Sequence, residues 1–456
     1  MNEKNTPARK TGRILLWIYG AALLYYVLKQ CYYAVFVGGF PDQIAQLSYI
    51  IHMAKAPALV PDLPAMQMWQ VKSVSDGLTI FAPAAGTVNY LNHPPLYFLM
   101  MAFLGGVRIL PDGTAALNLM RLRTLNILLS ASAVALAFYL GYTRLRKRSP
   151  MVHTLYAAAI VTLPMLAYTG AGVNNDNLAV LALVIFFTGL VRYQEDRLDL
   201  PTYLLIGLGF LTGSFSKLTT GLICILALVT ALVMSVIRTR SLKLVANKWF
   251  LITLPCYLLF LGYELIIHSR YGSWQPTLLD ISPETYYASV FYVAPENRVP
   301  MTVWQFARHF IGGIGYTWSS LYGHNQTVTE MMNNGLWGLV YWVVPAAMVF
   351  VLVRGWILRK QDRICLPVAA AFFGTMAYHF YSHWKGYPVS GYLGGAQARY
   401  YLAMIVPMAF LVCGRFPALS PRLRKAGRAA AVLLIAGWLA GDAIRLVIQY
   451  GFPPAA

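Results

Sequence analysis

The sequence predicts an all-α integral membrane protein, a bundle of about 11 to 12 transmembrane helices with interfacial helices in its first outer loop, and three observations lead there. The 456 residues are 58% hydrophobic and only 11% charged, where an ordinary soluble domain carries about a quarter charged residues. Apolar runs close to the roughly 20 residues needed to cross a hydrocarbon core recur along nearly the whole length. The basic residues behind the net charge of +20 sit in short loops between those runs, not on one face. They therefore read as topology signals, attract anionic lipid head groups, and exclude nucleic acid as a partner.

The first apolar run, 14–37, is too long for a signal-peptide core and is followed by no small-residue cleavage site, so it reads as a retained signal anchor. Further spans are expected at 124–143, 152–171, 177–193, 203–215, 218–237, 249–267, 336–358, 364–381, 401–413 and 429–448. Basic clusters stand before the first span and at 144–148, 238–248, 359–363 and 422–428, which the positive-inside rule assigns to the cytoplasm. That leaves 38–92, 172–176, 268–335 and 382–399 on the far side, the candidate working surface. Alternation holds only if one early segment does not cross. We assign that role to 93–110, which opens on Pro94-Pro95 and holds Gly105-Gly106 and Arg108; such a segment is tolerated as a re-entrant or interfacial element lined by protein. No repeat, low-complexity tract or linker interrupts the chain, so 1–456 reads as one polytopic domain with two large outer loops, 38–92 and 268–335. Amphipathic stretches such as 43–54 suit helices lying in the interface, and Trp274, Tyr286, Tyr287, Trp304 and Trp318 suit an aromatic belt at head-group depth. Cys31, Cys224, Cys256, Cys365 and Cys413 lie in apolar segments without paired spacing and read as packing residues.

Five polar patches break the apolar pattern. Phe40-Pro41-Asp42-Gln43 places an acid where the chain leaves the first span. A carboxylate there either caps the next helix or has a function, because charge at membrane depth is costly. The others are Asn92-His93-Pro94-Pro95-Leu96-Tyr97, Gly172-Val173-Asn174-Asn175-Asp176-Asn177, Ser216-Lys217-Leu218-Thr219 and Gln397-Ala398-Arg399-Tyr400-Tyr401-Leu402. Lys217 and Arg399 read alternatively as snorkelling side chains and Asp176 as a helix cap. His379 and His383, four apart on one helix face, lack a third ligand for a metal.

In these patches the chain resembles the GT-C superfamily of polyprenyl-phosphate-sugar-dependent membrane glycosyltransferases, which includes protein O-mannosyltransferases and lipid A aminoarabinose transferases. There an acid follows the first transmembrane helix and a His-Pro-Pro-Leu-type motif closes the first outer loop; Asp42 and His93-Pro94-Pro95-Leu96 match both, in order. The remaining patches resemble a bacterial branch of the same superfamily. Members of that branch tend to carry Pro-Asp-Glu with a histidine three residues on, where this chain has Gln43 and Gln46. The missing carboxylate argues against a divalent metal, which wants several hard oxygen ligands, so no metal and no cofactor are expected.

The resemblance implies an inverting transfer of a sugar from a polyprenyl-phosphate donor to a glycan, lipid or protein acceptor at the outer face of a bacterial inner (plasma) membrane. Asp42 is then the general base. Arg399, Lys217 and His93 are candidates to hold the departing phosphate, and Asp176, Asn92, Tyr97, Asn174 and Tyr400 are candidates to contact substrate. A transporter or flippase for a lipid-linked sugar, and an O-antigen polymerase or ligase, are the competing readings. The first should show an inverted repeat, which is absent, and the second leans on outer-loop arginine and histidine and not on an acid after the first helix.

Overall fold

The computed structural model describes residues 6–37, 39–240, 242, 245–319, 336–358, 363–415, 421–444 and 446. Its elements in chain order are α1 (Thr6–Phe36), α2 (Gln43–Lys55), β1 (Gln67–Ser75), β2 (Leu78–Val88), α3 (Leu96–Gly105), β3 (Arg108–Ile109), β4 (Ala115–Leu117), α4 (Leu119–Arg144), α5 (Pro150–Val161), α6 (Pro164–Ala171), α7 (Asp176–Gln194), α8 (Leu200–Ser216), α9 (Leu218–Thr239) and α10 (Lys248–Tyr271). There follow α11 (Leu278–Ile281), α12 (Pro283–Tyr287), α13 (Val303–Ser319), α14 (Leu336–Ile357), α15 (Cys365–Ser390), a 3-10 segment (Ala398–Met404), α16 (Ile405–Arg415) and α17 (Pro421–Ile444). The architecture is an α-helical membrane bundle. Among the described residues seven helices are long and apolar enough to cross a bilayer, eight if the bent pair α5 and α6 is one span.

The helices sort their faces by the solvent each side meets. Along α1, Tyr19, Tyr26 and Tyr33 recur every seventh position and are buried against the bundle, while Leu16, Trp17, Leu24, Leu28 and Val35 are exposed on the face left for lipid. The buried hydroxyls find partners: Tyr19 Oη lies 2.7 Å from His153 Nδ1 and Tyr26 Oη 2.8 Å from Ser130 Oγ. Lys29 of α1 pairs with Asp442 of α17 at 2.5 Å, both buried, and Tyr25 donates to the same carboxylate at 2.9 Å. The α7 and α8 helices approach closely because Gly209 carries no side chain; a Cβ there would stand 2.5 Å from the backbone nitrogen of Phe186.

Two departures from the expected spans have evident causes. The run 152–171 is broken between α5 and α6 by a 53° bend, where Pro164 removes an amide donor. The span expected over 401–413 opens as the 3-10 segment and becomes α-helical only from Ile405. The 93–110 stretch forms α3, ten residues long, which reaches about 15 Å and falls short of a hydrocarbon core of about 30 Å.

The first outer loop corrects the expectation of interfacial helices throughout. Only α2 is helical; residues beyond it form an antiparallel hairpin that joins β4 and β3 in a four-stranded sheet ordered β1-β2-β4-β3. Its turn is Asp76-Gly77, with φ of 52° and 72°, the two left-handed positions that favour Asp-Gly in tight hairpins. The sheet, α2 and α3 share a small core of their own in which Tyr49 and Phe98 stack at 3.8 Å between ring centres, with Trp69 and Phe81 buried beside them. In the second outer loop, 320–335 lies outside the described residues. Of the aromatics there, Trp274, Tyr287 and Trp304 are exposed, as a belt would be, whereas Tyr286 and Trp318 are buried.

Candidate active site

Chain breaks set the site, at the end of the bundle that carries the sheet. Asp42 occupies the N-cap position of α2, but its backbone is left-handed (φ 56°) and its side chain makes no capping bond. The carboxylate turns instead to Arg399, which donates from Nη2 to Oδ2 across 357 positions of sequence, and to Tyr90, whose hydroxyl donates to Oδ1 at 2.8 Å. Burial raises the carboxyl's pKa, but the Arg399 charge and hydrogen bond, the Tyr90 hydroxyl and the Lys217 charge outweigh it and hold Asp42 below its ordinary value. It is an anion at neutral pH.

Lys217 stands at the break between α8 and α9. Its extended backbone (φ −158°, ψ 122°) separates the two and sends the side chain inward, where it is 4% exposed and ion-paired with Asp176. The snorkelling reading is thereby replaced by a buried pair. Asp176 opens α7, but its own amide is bound by Asn174 Oδ1 at 2.9 Å, so Asn174 supplies the turn and frees the acid for Lys217. One carboxylate oxygen, Asp176 Oδ2, has no partner among the described residues. The Tyr400 ring is near both cations, 4.9 Å from Lys217 Nζ and 5.5 Å from Arg399 Cζ, and 5.7 Å from the His379 ring.

His93 is enclosed in the same region and feels the charges of Lys217, Asp176, Arg399 and Asp42. Burial, reinforced by Lys217, pushes its pKa down to about 4. The lowered value favours the uncharged imidazole, which can still donate a hydrogen bond through its ring N–H. Among the described residues its Nδ1 has no hydrogen-bond partner, as is true of Arg399 Nε, Gln43 Oε1, Gln46 Oε1 and Asn92 Oδ1. Buried polar atoms are normally satisfied, so these donors and acceptors are available to water or to a polar ligand.

The remaining expected residues separate into supports and distant parts. Asn174 donates to the carbonyl of Pro41 at 3.3 Å, fixing the backbone beside Asp42. Asn92 donates to Pro276 O at 2.9 Å and ties the two outer loops together. Tyr97 is fully buried and donates to Asn126 Oδ1 at 2.9 Å; it belongs to the packing under the site. His379 Nδ1 lies 2.9 Å from Tyr401 Oη, and among the described residues no group of three histidine, cysteine or acidic side chains is placed to hold a metal. Sequence reasoning missed Tyr90, which sits two positions before the Asn92 motif. It also missed Asn126, whose Oδ1 accepts from Tyr97 and, at 2.8 Å, from Asn177. A polar residue inside the apolar run of α4 was the available signal for Asn126; none marked Tyr90.

No family model matches this chain, and no curated protein matches it. Among solved structures it is similar to ArnT from Cupriavidus metallidurans bound to undecaprenyl phosphate, at 11% identity and a TM-score of 0.48 over 92% of this chain and 63% of that one. The chain thus spans less than two thirds of that protein's length.

Proposed function

We propose that this chain is a GT-C-type inverting glycosyltransferase that moves a sugar from a polyprenyl-phosphate donor to an acceptor hydroxyl at the outer face of the membrane. The contact between Asp42 and Arg399 carries the reading. An acid at the end of the first helix and a guanidinium from the far end of the chain meet beside a second cation, Lys217, and a neutral imidazole.

In this reading the donor's isoprenoid tail lies among the helices and its phosphate enters between Arg399 and Lys217. Arg399 then shares its charge with the phosphate, its open Nε supplying a further donor. Withdrawal of that charge from Asp42 raises the carboxylate's basicity as the acceptor arrives. The acceptor hydroxyl attacks the anomeric carbon on the face opposite the phosphate, and its proton passes to Asp42. The new C–O bond forms, the bond to the phosphate oxygen breaks, and its electron pair leaves with the polyprenyl phosphate, inverting the anomeric centre. A positioned base of this kind contributes about 10²–10⁴-fold, and cations aimed at a developing phosphate charge in a low-dielectric site contribute comparably. The two glutamines next to Asp42 and the pairing of both acids to cations favour chemistry without a divalent metal.

Replacement Asp42→Asn tests the reading. It should lower transfer by about 10²–10⁴-fold while polyprenyl-phosphate binding by the purified protein is retained. Transfer at the wild-type rate in that variant would remove Asp42 as the base.

A further inference from the structure

A cavity of about 630 Å³ opens between α13 and the extended segment 391–397 that leads into Arg399. Helix α13 uses two rows of residues for two tasks. One row, His309, Gly313 and Thr317, fastens the segment: His309 Nε2 lies 3.0 Å from Leu393 O, Thr317 Oγ1 accepts from the Ala398 amide at 2.7 Å, and a Cβ on Gly313 would stand 2.8 Å from Ala396 O. The adjacent row, Arg308, Gly312 and Tyr316, lines the cavity at helical spacing, with Gln305 at its edge, where its Oε1 accepts from the Thr302 amide at 2.8 Å and hydroxyl at 3.0 Å. Tyr392 forms the facing wall, its ring laid over the bare Cα of Gly394.

Packed rings and the chain itself link the cavity wall to the site. Tyr392 packs edge-on against Phe291 at 5.3 Å, Phe291 packs against Tyr90 at 5.1 Å, and Tyr90 donates to Asp42. At the other end Gln397 stands two residues before Arg399. The composition of the walls speaks to the occupant. Planar amide and tyrosine groups with glycine-exposed backbone suit hydroxylated rings, which stack on aromatic faces and exchange hydrogen bonds with such donors. Arg308 is exposed to the cavity and makes no ion pair among the described residues, while no acid lines the walls.

Resting on the function proposed above, we infer that this cavity is the acceptor subsite and that it takes a negatively charged glycan, with Arg308 reading the charge and Tyr392 stacking on the ring that leads to Asp42. In this arrangement the donor phosphate sits at Arg399 and Lys217, and the two substrates meet at the carboxylate.

Binding to the full chain in nanodiscs of zwitterionic lipid provides the test, with cellobiuronate as charged probe, cellobiose as its neutral counterpart, and polyprenyl phosphate as donor-side control. Cellobiuronate should bind the wild type more tightly than cellobiose. Arg308→Gln should weaken cellobiuronate about tenfold, the size of one charge-assisted hydrogen bond, and leave cellobiose unchanged. Tyr392→Ala should weaken both sugars, and Tyr392→Phe, which keeps the ring, should weaken neither. All three variants should bind polyprenyl phosphate as the wild type does. Equal binding of cellobiuronate to wild type and Arg308→Gln, or loss of polyprenyl phosphate binding along with the sugars, would overturn the assignment. Asp42→Asn should keep cellobiuronate binding, so failure of the base and failure of the acceptor subsite give different results.

Discussion

Removing the acid from the buried Asp176–Lys217 pair should destabilise the protein by far more than a surface ion pair would. Both residues are 4% exposed, so in Asp176→Asn the lysine stays out of water while its counter-charge disappears. Breaking a buried pair from one side costs about 3–5 kcal/mol. We expect the lower end, about 3 kcal/mol, because the asparagine retains one oxygen toward Lys217 and the Asp42 carboxylate is close enough to share its charge. At 1.36 kcal/mol per decade that is a shift of about 150-fold in the folded-to-unfolded ratio. Lys217→Met should cost a similar amount by leaving Asp176 unpaired. In the double variant neither charge remains, and the cost should fall short of the sum by about 2 kcal/mol or more. Unfolding of the purified protein in mixed micelles of rising sodium dodecyl sulfate content, followed by tryptophan fluorescence, measures all four corners of the cycle. Single variants within about 0.5 kcal/mol of the wild type, with an additive double variant, would show that the pair is not a buried electrostatic unit.

Further expectations concern pH, packing and metal. Because the Asp42 pKa is lowered in the free protein, the acid limb of the kcat/KM profile should fall only below the ordinary carboxylate range; Arg399→Gln leaves the raising effect of burial without its chief opponent, so that limb should move to higher pH. An unmoved limb would separate Arg399 from the base. Gly209→Ala drives a methyl group into the backbone of α7 at Phe186 and should cost about 1–3 kcal/mol in the same micelle assay; wild-type stability would refute the close approach. Transfer should persist in excess chelator, and its loss with recovery on adding back a divalent ion would refute the metal-independent reading.

The spans were legible because the membrane imposes one rule, about 20 apolar residues with backbone bonds closed internally, and α1, α4, α7, α9 and α10 obey it. Pro164 and Lys217 were visible, yet what each does depends on the helices around it. One bends a span; the other ends a helix to deliver its amine to Asp176. The Asp76-Gly77 hairpin was readable from its turn and was passed over because amphipathic 43–54 set a helical expectation for the whole loop. At the site, the residue types and order pointed to Asp42, Lys217 and Arg399. Sequence alone did not show that Asp42 pairs with Arg399 and Lys217 with Asp176, since each partner is brought by a distant helix. Tyr90 was illegible for the same reason: a tyrosine in an outer loop gains meaning only from the acid it touches, 48 positions away.

The fastening of α17 to α1 through Lys29 and Asp442 bears on biogenesis. The two residues are 413 positions apart, and at 5–20 residues per second a ribosome needs roughly 20 to 80 s to add the second after the first. For that interval a lysine amine within the nascent first helix waits without its eventual counter-ion, a cost that local water or the head-group region must bear. The pair can therefore close only once α17 has been synthesised, and a chain released before Asp442 would leave Lys29 without this counter-charge.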